Sequence, residues 1–75
     1  MIRKHSVTIR GHRTSFSLED EFWNALQALS DSSGKPLAAL IAEIDENRSP
    51  EDNLSSAIRV HVLEWTASRT GRQSP

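Results

Sequence analysis

The segment Arg13-Thr14-Ser15-Phe16-Ser17-Leu18 constrains this chain more than any other. Polar and apolar residues alternate with a period of two, the pattern of a strand with one dry face and one wet face. Thr14, Phe16 and Leu18 point inward; Arg13, Ser15 and Ser17 point outward. Three acids, Glu19-Asp20-Glu21, follow at once, and a helical pattern begins. One short strand feeding a set of helices cannot satisfy its own edges. It needs a strand partner.

Two partners are open to it. Residues 5–10, His-Ser-Val-Thr-Ile-Arg, also alternate, but Val7 and Ile9 have the opposite parity to Thr14, Phe16 and Leu18. The register must therefore slip or reverse near Gly11-His12. A bulge there keeps one long strand with both apolar sets on one face. A two-residue turn with Gly11 at its first central position gives a hairpin, with Val7 facing Phe16 and Ile9 facing Thr14. A continuous strand from 5 to 18 is unusually long, which favours the hairpin. In either case Ser6, Thr8, Arg10, Arg13, Ser15 and Ser17 share the wet face. The second candidate partner is another copy of the chain.

Three helices follow. The first is expected from Ser17 or Leu18, because an acid lies three residues beyond a possible serine cap and three acids suit the positive end of the helix dipole. Its stripe is Phe22, Ala25, Leu26 and Leu29, with Trp23 at the margin, and Gly34 suits a left-handed C-cap. Pro36 opens the second helix at or near its first position. Leu37, Leu40, Ile41 and Ile44 fall at i, i+3, i+4 and i+7. The third helix starts after Ser49-Pro50 or at Asn53 and carries Leu54, Ala57, Ile58, His61, Val62 and Trp65. Residues 1–67 thus form one domain. The tail from Ser68 to Pro75 has no apolar content and is expected to be disordered.

A chain of 75 residues buries little surface and usually needs a staple. It has no cysteine, which excludes disulfides and thiolate-zinc sites and leaves a second copy as the natural staple. The basic N-terminus lacks the apolar run of a signal peptide, and the longest apolar run, Pro36–Ala42, is too short to span a bilayer. A cytoplasmic protein is the expectation.

The net charge of −1 hides two opposed blocks. Residues 1–18 hold Arg3, Lys4, Arg10 and Arg13 and no acid, a charge of +4, whereas the remainder holds five basic and ten acidic residues, a charge of −5. Such asymmetry points to an anion-binding end. His5, His12 and His61 lack metal-site spacing, so no metal, cofactor or small-molecule ligand is expected. The acids at 19–21 are explained as a charged helix start, and no pocket-forming size supports catalysis. Trp23 and Trp65, beside apolar stripes, read better as closures of a core or interface than as recognition anchors.

Strand, helix, glycine turn and helix in this order resemble the ribbon-helix-helix family, the MetJ/Arc type of small bacterial DNA-binding protein. The resemblance runs from Arg13 to about Asn47. Arg13–Leu18 stands for the ribbon, Glu19-Asp20-Glu21-Phe22 for the helix start, Gly34-Lys35-Pro36 for the turn and Leu40-Ile41 for the second-helix core. Gly11–Ser15 and Asn53–Arg59 look like a branch of that family whose targets are mostly unassigned.

The resemblance implies a mostly α fold with a short N-terminal β ribbon, β-α-α plus a third helix, and an intertwined homodimer. Its dimer core would be Thr14, Phe16, Leu18, Phe22, Leu26, Leu40, Ile41 and Ile44. It implies a non-enzymatic, sequence-specific DNA-binding protein, a transcriptional repressor whose dimeric ribbon enters the major groove of double-stranded DNA. Arg13, Ser15 and Ser17 map onto the family's base-reading positions. Phosphate contacts fall to Arg3, Lys4, Arg10, His12 and Lys35, with the N–H groups of Leu37 and Ala38. The family usually has Ser or Thr near the position of Pro36, which here lacks both a hydroxyl and an N–H. The competing class keeps the fold but uses the acidic body or the third helix to bind a partner protein, as an antitoxin does.

Overall fold

The computed structural model describes residues 1–71. The order is β1 (Ile2–Ile9), β2 (His12–Glu19), α1 (Asp20–Ser33), α2 (Leu37–Asn47) and α3 (Leu54–Gly71). The two strands form an antiparallel hairpin. The partner of β2 is therefore β1 of the same chain, and the long bulged strand is excluded.

The turn differs from expectation by one residue. Arg10 and Gly11 are its central pair, with φ of 50° and 80°, so Gly11 takes the second central position and not the first. Positive φ at both positions marks the type I′ turn, whose twist matches that of the strands it joins. A Cβ on Gly11 would meet nothing within 4 Å, so glycine is selected there for backbone conformation alone. The shift moves the register by two: His5 faces Phe16, Val7 faces Thr14 and Ile9 faces His12. Parity survives a two-residue shift, so the side chains of the two strands keep their expected faces; Arg10, expected on the wet face, instead lies in the turn and reaches Asp45 and Glu46 of α2. What changes is that His5 now lies beside Phe16 and stacks on Trp23 of α1, ring centroids 3.8 Å apart.

β2 also runs further than expected. Leu18 and Glu19 remain strand, paired with Arg3 and Ile2, and α1 begins at Asp20. The expected capping by Ser17 does not occur; Glu19 is the N-cap residue and makes no side-chain cap bond. Cross-strand pairing holds these residues extended, while Asp20 and Glu21 occupy the first turn, where the helix dipole favours acids. At the other end Gly34 has φ of 73° and its N–H donates to the Asp31 carbonyl, the left-handed stop anticipated for it. Asn53 Oδ1 accepts from the Ser56 N–H at 2.8 Å, capping α3. That helix continues through Ser68 to Gly71, so the expected disorder does not begin at Ser68. Residues 72–75 lie outside the described residues. Arg69 packs over the Trp65 ring at 4.7 Å, one helical turn away.

The helices lie against the dry face of the hairpin, α2 touching β1 and α1 and α3 touching β2. Leu18, Leu26, Ile41 and Ile58 are fully buried, joined by Ile9, Phe16, Leu29, Leu40, Ile44, Leu54 and Val62. Of the residues expected in a dimer core, Phe16, Leu18, Leu26, Leu40, Ile41 and Ile44 are buried within one chain, and Thr14 and Phe22 are half-buried. The third helix and β1 supply closure that a bare strand-helix-helix unit must obtain from a second chain. The buried Ser30 hydroxyl donates to the Lys35 carbonyl at 2.5 Å, so the α1–α2 turn is tied without an orphaned polar group.

Candidate nucleic-acid interface

The register makes the wet face of the hairpin a grid of three cross-strand pairs: Lys4 with Ser17, Ser6 with Ser15, and Thr8 with Arg13. All are exposed except Ser17, which is half-buried. The central pair joins hydroxyl to hydroxyl, Oγ to Oγ at 3.4 Å. The two cations occupy diagonal corners. Among the described residues neither Lys4 nor Arg13 has an ion-pair partner, and no acid falls on this face between Lys4 and Ser17. Glu19, the next residue of that parity, is drawn off by Arg59 of α3, Nε to Oε1 at 2.8 Å. The Arg59 guanidinium holds the Glu19 carboxyl below the usual carboxylate range. A donor-rich strip thus lies on a body that is otherwise acidic.

The remaining expected phosphate contacts divide by their pairing. Arg3 points to the other face and pairs with Asp20 at 3.0 Å. Arg10, at the turn, reaches Asp45 at 3.2 Å and Glu46 at 3.7 Å on α2. Lys35 is held by both Glu43 oxygens, at 2.7 and 2.9 Å. The Lys35 ammonium keeps the Glu43 carboxyl low, and Arg48, with Arg10 behind it, does the same for Asp45. His12 is exposed beside the turn. Leu37 and Ala38 are the first residues of α2, where N–H groups lack intrahelical acceptors. Pro36 immediately precedes them with an extended backbone, φ −59° and ψ 148°.

Sequence reasoning placed Ser6 and Thr8 on this face without assigning them to the site; the register sets them opposite Ser15 and Arg13. It missed the role of Ser55 and Arg59. Ser55 Oγ accepts from the Ser17 backbone N–H at 3.0 Å, and Arg59 holds Glu19 one helical turn later. The i, i+4 spacing within Asn53–Arg59 was the available signal, but nothing in it names β2 as the target.

Among the described residues no helix is long and apolar enough to cross a membrane. No curated protein and no solved structure matches the chain. The ribbon-helix-helix domain, a fold of the DNA-binding, transcription-regulator type, matches residues 2–66. With hairpin, three helices and a match over nearly its whole length, the chain belongs to the ribbon-helix-helix domain family.

Proposed function

We propose that this chain is a sequence-specific DNA-binding protein, a cytoplasmic transcriptional repressor, that presents the wet face of β1–β2 to the major groove. The observation that carries this reading is the acid-free grid of hydroxyls with Lys4 and Arg13 at its corners, neither with an ion-pair partner among the described residues. A guanidinium at Arg13 can donate two parallel bonds to guanine O6 and N7, while Ser15 and Ser17 are short, tolerant readers of base edges. Lys4, at one corner of the grid, and His12, beside the turn, serve as phosphate contacts. Arg3, Arg10 and Lys35 reach phosphate by exchanging their carboxylate partners for it. The Leu37 and Ala38 N–H groups offer the anion site of a helix N-terminus, reduced by the proline before them. Family membership supports the reading, since such proteins typically bind DNA and dimerise.

The test is selection from randomised duplexes followed by fluorescence anisotropy on the enriched sequence. Affinity should fall steeply with salt as counterions are released, and Arg13→Ala with Ser15→Ala should erase sequence preference. Preference unchanged in that double variant, or no binding at low salt, overturns it.

A second reading has one observation in its favour. Val60 and Leu63 are 52% and 63% exposed on α3, on the side opposite the buried Leu54, Ile58 and Val62. A protein-interaction module would use that face and leave the hairpin idle. Binding to DNA that depends on Arg13 decides against it.

A further inference from the structure

We propose that Ile2 is a specificity-determining residue of the hairpin, which packs on the methyl group of a thymine in the major groove. The inference rests on the DNA reading of the wet face and names a base that the hydrogen-bonding residues there do not distinguish.

Strand parity puts Ile2 in one row with Lys4, Ser6 and Thr8, and the register sets it opposite Glu19, the next pair of that face after Lys4–Ser17. The other apolar residues of the two strands, Val7, Ile9, Phe16 and Leu18, lie on the dry face, buried or packed against the core. Ile2 is 56% exposed and stands outside that core. Every other residue of the wet face carries a hydroxyl or a charge. Ile2 is thus the one aliphatic side chain on that face among the described residues. Strand propensity does not demand it, because threonine suits a strand as well and stands at position 8 of the same row.

Its surroundings leave it open to a ligand. The cross-strand neighbour Glu19 accepts from Arg59 of α3 through both carboxylate oxygens, at 2.8 and 3.4 Å. That carboxylate is therefore offset by a cation of its own chain, and it does not bar this end of the strip from a groove lined by phosphates. Arg3, the next residue of β1, pairs with Asp20 on the other face. Lys4, in the same row, has no ion-pair partner among the described residues.

The chemistry of the groove names the base. In the major groove the base pairs present hydrogen-bond donors and acceptors and one apolar group, the thymine methyl. Serine and arginine gain little from that methyl, whereas isoleucine gains from it alone, because joining the two removes apolar surface from water. Ile2 lies six residues along β1 from Thr8, the partner of Arg13. That is about 20 Å at the rise of a strand, so Ile2 and Arg13 meet different base pairs and their effects add.

The test is a methyl-deletion cycle with the full chain. Each thymine of the selected duplex is replaced in turn by deoxyuridine, which lacks the methyl and keeps every hydrogen-bonding group. Anisotropy then gives the affinity of the wild type, Ile2→Ala and Ile2→Val. At one position or more, deoxyuridine should weaken wild-type binding about fourfold, the size expected for one methyl-sized apolar group. Ile2→Ala should bind the thymine duplex more weakly and no longer respond to the exchange, and Ile2→Val should keep part of the response. The salt slope should be the same in all three proteins, since no charge is altered. Their circular dichroism should also agree, because Ile2 lies outside the core. Binding indifferent to deoxyuridine at every position, or a deoxyuridine effect undiminished in Ile2→Ala, overturns the proposal and leaves the DNA reading standing. Absence of binding to any duplex at low salt overturns both.

Discussion

The Glu19 carboxylate, at the residue where β2 becomes α1, accepts two bonds from the Arg59 guanidinium of α3, at 2.8 and 3.4 Å. This pair closes a junction between segments forty residues apart in sequence. Together with the Ser17–Ser55 bond it fixes α3 to the last turn-free residues of the strand. The ribbon and the third helix are therefore one mechanical unit.

Stability should fall on acidification because of this pair and two like it. Arg59 lowers the pKa of Glu19, Lys35 that of Glu43, and Arg48 with Arg10 that of Asp45. A carboxyl whose pKa is lower in the folded state contributes stability above its unfolded pKa and loses it as pH falls through the folded one. The melting temperature should hold near neutrality and decline below about pH 4.5, where unfolded carboxyls begin to protonate. Glu19→Gln should melt lower at pH 7 and converge on the wild type in acid. A melting curve that ignores pH down to about 3 contradicts this.

The turn should tolerate Arg10→Asn. Arginine at φ 50° bears a left-handed strain of roughly 1–2 kcal/mol, which asparagine relieves in a type I′ turn. The exposed Arg10 bonds to Asp45 and Glu46 are worth little in return. Unfolding in urea should show equal or higher stability for Arg10→Asn, whereas Gly11→Ala, at φ 80°, should lose roughly 1–2 kcal/mol from backbone strain alone.

Core and surface apolar residues on α3 should separate cleanly. Ile58 is fully buried and Leu63 is 63% exposed. Truncating a buried isoleucine costs about 2–5 kcal/mol, a large share of the stability of so small a domain. Ile58→Ala should be largely unfolded by circular dichroism at 37 °C, and Leu63→Ala should melt like the wild type.

Much of this was legible from period alone. The inward set Phe16 and Leu18, the stripe Leu40, Ile41 and Ile44 and the glycine stop at Gly34 follow from local spacing and are found, and of the two caps open to the third helix the structure uses Asn53. What local spacing cannot supply is a choice between equivalent registers. A turn centred on 10–11 and one centred on 11–12 bury the same faces; the observed one brings with it the Arg10–Asp45 bridge and the His5–Trp23 stack. The start of α1 was misplaced for a related reason. Ser17 has the chemistry of a cap, but its strand neighbours are paired with β1, and long-range pairing overrides local propensity. The wet face of the hairpin was legible but the pairings of the cations around it were not, because the acids that hold Arg10 and Lys35 lie on α2 and only the packing of that helix brings them into reach.

Those pairings yield the sharpest expectation for DNA binding. Among the described residues Lys4 and Arg13 have no ion-pair partner, so removing either should weaken binding directly. Lys4→Ala should weaken it about equally on all duplexes and reduce the salt slope by about one. Arg13→Ala should cost about 1–3 kcal/mol on the preferred sequence and little elsewhere. Lys35 is different, since Glu43 must first be displaced from it. Neutralising that competitor with Glu43→Gln should therefore raise affinity and steepen the salt dependence, while Lys35→Ala in the same background should remove the gain. Anisotropy titrations at three salt concentrations measure all four variants. A Glu43→Gln protein that binds no tighter than the wild type, with Lys4→Ala behaving as above, would place Lys35 outside the DNA contact and confine the interface to the hairpin.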